Sequence, residues 1–380
     1  MHRTGQTGGA FSNSPQKGVG IVRARNTVGF ALAFFALLSL AALRPAAGQV
    51  SLYSVVDLGG LVGEGISFPR DVNISAQVVG RVSYVTGSDT RAVFWPAVGL
   101  AQIIGPLPGG DYSAAFGVND AGQVVGTSNT GTTVRAFRRT SDGVMQDLGT
   151  LTKDTGSEAF DINNSGQIVG SSSGPKGIRA VLWRENGRIQ SLGTLPGGDY
   201  SKAFAINDAG QVVGASSSSS GMRAFLWASG VMQDLGTLPG DTSSEALDIN
   251  SSGQVVGSSS GPGGTRAFRW TSTGGMQSLG TLPGGNFSKA YAINDSGQVV
   301  GTSTSSLGMH AFLWTGILGI QDLNTLISAI AGLTLSEAHC INNLGQIGAI
   351  SGAANHVVIG GEEDHEQEHF YRAFLLTPTL

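Results

Sequence analysis

The stretch Ser201–Gly240, SKAFAINDAGQVVGASSSSSGMRAFLWASGVMQDLGTLPG, decides the fold. It recurs seven times with drift, and its asparagine recurs at Asn73, Asn119, Asn163, Asn207, Asn250, Asn294 and Asn342. Successive anchors lie 46, 44, 44, 43, 44 and 48 residues apart. A supersecondary unit of this size cannot bury its apolar face alone. A fixed period in this range therefore signals a stacked or radial array.

The unit parses into four short strands, Ala203–Asn207, Gln211–Ser216, Arg223–Trp227 and Val231–Gly236. Each is rich in Val, Ile, Phe or Leu and bounded by Gly, Ser, Asp or Pro. Beyond the first 48 residues no window has helical apolar periodicity. Asn207-Asp208-Ala209-Gly210 joins the first two strands, with Gly supplying the positive φ of a tight turn. The first repeat has Ala76 in that glycine's place. A left-handed backbone is costly for Ala, which predicts a different turn there.

The two ends are out of phase. Leu52–Gly59 (LYSVVDLG) matches the fourth strand of the unit, and Arg372–Leu376 (RAFLL) matches the third. The expected fold is all-β: a seven-bladed β-propeller of four-stranded antiparallel blades. Its ring is closed by the N-terminal strand completing the last blade, which removes exposed edges. Trp95, Trp183, Trp227, Trp270 and Trp314 all end the third strand, a placement that suits packing between blades. Arg139 and Leu376 hold that slot in the other two repeats.

The combination of DLGTLPG (Asp234–Gly240), A-x-x-IN-x-x-GQVVG and [RH]-AF-x-W resembles the HAF-repeat family of bacterial extracellular proteins. The naming triplet appears literally as His310-Ala311-Phe312, and with Arg first in Arg223-Ala224-Phe225 and Arg266-Ala267-Phe268. The resemblance runs from Leu52 to Thr377 apart from one insertion. It implies secretion and implies no particular reaction.

Composition and charge exclude one class of partner. Only 13% of the 380 residues are charged and the formal net charge is −4, so no basic field exists to attract nucleic acid. Arg3, Lys17, Arg23 and Arg25 precede an apolar run, Val28–Leu43, and then Ala46-Ala47-Gly48. Residues 1–48 read as a signal peptide, leaving 49–380 as the propeller. The apolar run is short for a membrane span, so no stable membrane insertion is expected after cleavage; an uncleaved anchor is the alternative. Cys340 is the only cysteine, so no internal disulfide forms. It occupies the slot of Asp161 and Asp248 in sister repeats, as a drifted repeat position.

Alternate repeats resemble each other more than neighbours do. Repeats 2, 4 and 6 carry Asp111-Tyr112, Asp199-Tyr200 and Asn286-Phe287 in the link that enters the blade. At one equivalent slot the residues run Glu158, Lys202, Glu245, Lys289, Glu337. That slot opens the innermost strand, so these residues form a charge ring at the channel mouth. It serves either as inter-blade ion pairs or as the lining of a polar-ligand channel. In a four-stranded meander the links and the strand 2–3 loops emerge on one face. The PGGDYS links and SSSSSG loops are the longer connections, which makes that face the expected ligand surface. Tyr112, Tyr200 and Phe287 lie there, placed to stack on sugar rings or a protein partner, or to pack on the next blade.

Three motifs look like chemistry. His365-Glu366-Gln367-Glu368-His369 matches H-E-x-x-H, but it sits in an acidic insertion, 352–370, between two strands. Without a helix the two His do not share a face, so His365 and His369 are weak metal candidates only. Gly170–Gly174 and Gly257–Gly261 match G-x-S-x-G but lack the strand-to-helix context of a nucleophile elbow. Asp161–Gly166 and Asp248–Gly253 echo a calcium loop without its closing acid. The expected function is a secreted non-catalytic binding propeller without a cofactor, taking an extracellular glycan or protein. The alternative is an extracellular hydrolase or lyase acting on polysaccharide or peptide.

Overall fold

The computed structural model describes residues 51–59, 65–84, 90–97, 99–352 and 371–379. The leader, His365, His369 and the insertion from 353 to 370 lie outside the described residues.

Alternating apolar residues and frequent turn formers give each unit an antiparallel meander. The chain opens with β1 (Tyr53–Asp57). Blade 1 is β2 (Gly65–Val72), β3 (Val78–Tyr84), β4 (Thr90–Trp95) and β5 (Gln102–Ile104). Blade 2 is β6 (Ser113–Val118), β7 (Val124–Asn129), β8 (Val134–Arg139) and β9 (Met145–Asp147). Blade 3 is β10 (Gly156–Ile162), β11 (Ile168–Gly174), β12 (Gly177–Trp183) and β13 (Ile189–Gly193). Blade 4 is β14 (Ser201–Ile206), β15 (Val212–Ser218), β16 (Gly221–Ala228) and β17 (Val231–Asp234). Blade 5 is β18 (Ser243–Ile249), β19 (Val255–Gly261), β20 (Gly264–Thr271) and β21 (Gly275–Gly280). Blade 6 is β22 (Ser288–Ile293), β23 (Val299–Ser305), β24 (Gly308–Thr315) and β25 (Gly319–Asp322).

The seventh sheet has the order β1, β28 (Ala373–Pro378), β27 (Ile347–Ser351), β26 (Leu335–Ile341). In it β1 runs antiparallel to β28, with Tyr53 opposite Pro378 and Asp57 opposite Phe374. The first strands of the blades touch one another in turn, and β26 touches β2. The fold is a seven-bladed β-propeller.

The core lies between blades. Val169, Leu182 and Leu195 of blade 3 and its link pack against Ile206, Phe225 and Trp227 of blade 4. Trp95, Trp183, Trp227 and Trp270 are buried, and Trp314 packs against a similar cluster. The glycine ending GQVVG is required by close approach. A Cβ on Gly214 would lie 2.0 Å from the Lys202 carbonyl oxygen, and one on Gly257 would lie 2.0 Å from that of Glu245. Opposite each such glycine the first strand bulges, as between Ala203 and Ala205. A bulge leaves one residue out of the ladder and re-aims its side chain. That residue is three before the anchor asparagine.

The anchors explain their own recurrence. Each Asn side chain donates to the backbone carbonyl of the next blade's Asn, at 2.8 to 3.2 Å, around the whole circle. Each also donates to the Gln four residues on. Its oxygen accepts that Gln's N–H, which fixes the tight turn.

Two expectations are corrected. The first repeat keeps the same turn: Ala76 adopts φ 58 and its N–H bonds the Asn73 carbonyl, as Gly210 does with Asn207. The Asn73 network over-determines the turn and outweighs the strain in Ala. The strand 2–3 connections of blades 3 to 6 are also not long loops. Gly174 faces Gly177, Ser218 faces Gly221, Gly261 faces Gly264 and Ser305 faces Gly308, so each is a two-residue turn. Most of the serines lie within strands, including both G-x-S-x-G matches. Ser216 shows why: its hydroxyl accepts from Leu195 N–H at 2.9 Å and donates to the Tyr200 carbonyl at 3.1 Å.

Candidate binding site at the central channel

The bulged residues of the seven innermost strands are Arg70, Phe116, Phe160, Phe204, Leu247, Tyr291 and His339, all half-buried. Three phenyl rings meet edge to face, Phe116–Phe160 at 5.5 Å and Phe160–Phe204 at 5.6 Å. Tyr291 stacks on His339 at 4.7 Å, and the Arg70 guanidinium lies 5.8 Å from the Phe116 ring centre. An aromatic collar thus lines most of the channel, and one sector of it is polar.

Two residues nearer the link face lies the charged slot. Lys202 binds Glu158 at 2.5 Å and Lys289 binds Glu245 at 2.6 Å. Ser171 and Ser258 hydroxyls steady the two carboxylates. These ion pairs join blade 3 to blade 4 and blade 5 to blade 6. The fifth residue, Glu337, makes a different set of contacts. It accepts the Tyr291 hydroxyl at 3.2 Å and lies 3.2 Å from His339 Nε2. That last contact is electrostatic, because Nε2 lacks a directed hydrogen bond. His339 holds the Glu337 carboxyl below its usual range. Enclosure pushes the His339 pKa down despite Glu337, and Arg70 and Arg81 add to that. Burial, then Glu337, pushes the Tyr291 hydroxyl up.

Blade 1 breaks the pattern from the other side. Arg81 stands on β3 opposite Phe68, where four sister blades carry Thr127, Ser171, Ser258 and Thr302. Its guanidinium lies 4.9 Å from the Phe68 ring centre, and Phe68 packs on Tyr371 at 5.6 Å. Arg70 is lowered from its ordinary range by burial first and by the Arg81 charge next. Arg70 Nε is buried without a hydrogen-bond partner among the described residues.

Toward the opposite face lie Asp71, Asp161 and Asp248. Each carboxylate accepts the N–H of the following residue and an N–H of the next blade, Val118, Ile206 or Ile293. Their remaining surface is small and they sit deep in the ring, so desolvation dominates over these bonds. It raises Asp71 to about 6, Asp248 to about 7, and Asp161 well above the carboxylate range. This geometry uses Asp161 and Asp248 as blade-to-blade ties, which accounts for the calcium-loop echo. Cys340 takes the same slot in blade 7, buried, its thiol pushed up by desolvation. Among the described residues no group of three or more His, Cys, Asp or Glu could hold a metal ion.

The link residues are held elsewhere. Asn129 Oδ1 accepts the N–H groups of Asp111 and Tyr112, Ser217 Oγ those of Asp199 and Tyr200, and Thr304 Oγ1 those of Asn286 and Phe287. The polar side chains of these pairs are exposed and the aromatic ones half-buried. The polar sector made by Arg70, Arg81, Tyr291 and His339 was missed by sequence reasoning. Its signal is the slot three before the anchor, which changes from Phe, Leu or Tyr to Arg in repeat 1 and to His in repeat 7.

No protein-family model and no curated protein matches the chain. The β-propeller domain of the Trilobed protease from Pyrococcus furiosus is 8% identical with a TM-score of 0.51, covering 82% of this chain and 93% of that one. The acylaminoacyl peptidase of Pyrococcus horikoshii is 8% identical with a TM-score of 0.50, covering 76% of this chain and 49% of that one. Virginiamycin B lyase from Staphylococcus aureus is 11% identical with a TM-score of 0.49, covering 86% of this chain and 98% of that one. At such identities the likeness to the two Pyrococcus structures establishes the propeller fold and nothing of the chemistry.

Proposed function

We propose that this protein is an exported, non-catalytic binding propeller that takes an extracellular glycan or protein at the link-face mouth of its channel. The observation that carries this reading is where the repeat symmetry fails. Elsewhere around the inner ring most polar side chains among the described residues are consumed by structural bonds: the Asn circle, the Asp ties and the Lys–Glu pairs. Only where blades 6, 7 and 1 meet does the collar present Arg70, Arg81, Glu337 and His339 together. Aromatic faces beside a few convergent polar groups are what a binding pocket needs. The N-terminal sequence and the HAF-repeat resemblance support export.

The test is a screen of the purified protein against glycans and cell-envelope fractions, with product analysis alongside. Saturable binding without turnover, weakened by Arg70→Gln, supports the reading. Binding untouched by channel substitutions would end it.

A second reading rests on one observation, the Glu337–His339–Tyr291 contacts. A carboxylate beside a near-neutral imidazole is suited to general acid–base work in an extracellular hydrolase or lyase. Product formation that disappears in His339→Ala would favour it.

A further inference from the structure

We propose that Arg70 and Arg81 form a seat for one carboxylate, borne by a ligand whose flat apolar face lies on the collar. The inference rests on the channel mouth being the ligand site.

Several other cations in this molecule have a polar partner. Lys202 and Lys289, in the same inner ring, each have a carboxylate within 2.6 Å. Arg179 and Arg223 donate to link carbonyls, and Arg135 and Arg372 pair with Asp147 and Asp57. Among the described residues Arg70 and Arg81 have neither kind of partner, only the faces of Phe116 and Phe68. Enclosing the Arg70 guanidinium without a paired anion is costly, and the Arg81 charge acting on it raises the cost. Neither is imposed by the fold, since the sister blades fill the first slot with Phe, Leu, Tyr or His and the second with Ser, Thr, Ala or Ile. A bound anion removes both penalties.

The charge balance selects a monoanion. Glu337 acts on Arg70 electrostatically, and His339 is driven toward neutrality, so the sector carries about one net positive charge. A planar guanidinium fork matches a carboxylate in two parallel hydrogen bonds. The phenyl rings of Phe116 and Phe160 beside it favour a flat ring or an apolar edge next to that carboxylate. A uronic acid of a polysaccharide and an aromatic or peptide carboxylate share this chemistry.

The experiment is calorimetric titration of the purified protein with glucuronate, glucose, phenylacetate and phenylacetamide. At least one carboxylate should bind about tenfold or more tightly than its neutral analogue. Arg70→Gln and Arg81→Gln should each weaken that binding by a similar factor, while Arg188→Gln, on a distant turn, leaves it unchanged. Glucuronate outbinding phenylacetate identifies a uronic-acid source, and the reverse order an aromatic or peptide one. Melting temperatures identify any variant that fails to fold; Arg70→Lys and Arg81→Lys, which keep the charge, then replace it and should bind more weakly than wild type. Equal binding of charged and neutral analogues, no binding of either carboxylate, or wild-type affinity in folded Arg variants overturns the proposal. Binding of a neutral glycan that survives Arg70→Gln but is lost in Phe160→Ala would sink the carboxylate seat and leave the channel as the ligand site.

Discussion

The side-chain amide of Asn342 donates to the backbone carbonyl of Asn73 at 2.8 Å, across 269 residues of sequence. The same bond joins Asn207 to Asn250 at 3.0 Å, and every other neighbouring pair of blades. One residue type thus closes a turn within its blade and hands a hydrogen bond to the next.

Asn207→Ala should therefore cost about 1–3 kcal/mol. It removes bonds to the Gln211 side chain and N–H and leaves the buried Asn250 carbonyl without its donor. Urea denaturation measures this. A change under about 0.5 kcal/mol, the level of an ordinary surface substitution, would mean the circle is decorative.

Ala76→Gly should stabilise the protein by about 0.5–1 kcal/mol. Ala76 sits at φ 58, where a Cβ is strained, and the relief exceeds the extra chain entropy that glycine brings to the unfolded state. Gly210→Ala, at φ 74 in the equivalent turn, should destabilise by a similar amount. Thermal melts in which Ala76→Gly destabilises or Gly210→Ala stabilises would contradict the left-handed turn.

The Asp ties predict a pH dependence. Asp71 and Asp248 have folded-state pKa values raised to about 6 and about 7 by desolvation. A raised carboxyl pKa means the native state binds protons more tightly than the unfolded chain. Its contribution is full below the unfolded pKa near 4 and is lost as pH rises through the folded values. Stability should fall as pH rises from about 4 through 7. Asp248→Ala, the residue type found at Ala205 and Ala292, should flatten that slope. Denaturation midpoints at pH 5 and pH 8 that coincide in the parent protein would refute it.

The Lys202–Glu158 pair should matter little. Its side chains keep 20% and 34% of their exposure, so solvent screens the attraction. A double-mutant cycle with Lys202→Met and Glu158→Gln should give about 1 kcal/mol or less of coupling, declining with salt. A larger, salt-insensitive coupling would mark a functional charge and not a surface tie.

Much of the architecture was legible because the period forces it. The Asn anchors, the turn that follows and the Trp ending the third strand each keep one role in every repeat that carries them. The serine runs misled because serine has little intrinsic strand preference, yet Ser216 fits between blades through a small hydroxyl that bonds both ways. The channel site was hidden by the bulge. A Phe in an alternating strand reads as core, and only the extra residue opposite Gly214 turns Phe204 inward. Comparing one slot across seven repeats exposes Arg70 and His339, but nothing in their local sequence does.

That bulge supplies the sharpest structural test. The ideal Cβ of an alanine at position 257 would stand 2.0 Å from the Glu245 oxygen and 3.0 Å from the Ala246 Cα, both backbone atoms that no side-chain rotation can move. Gly257→Ala must shift β18 and with it the collar residue Leu247 and the Asn250 bonds. The expected loss is about 3 kcal/mol or more, well beyond the usual cost of a point change. Gly230, at φ 86 in a 3–4 turn with nothing within 4 Å of its Cβ position, provides the contrast. There alanine should cost only the strain of a positive φ, about 1–2 kcal/mol. Equal losses at the two sites in urea denaturation would show that the close approach of β18 and β19, on which the channel lining depends, is not tight.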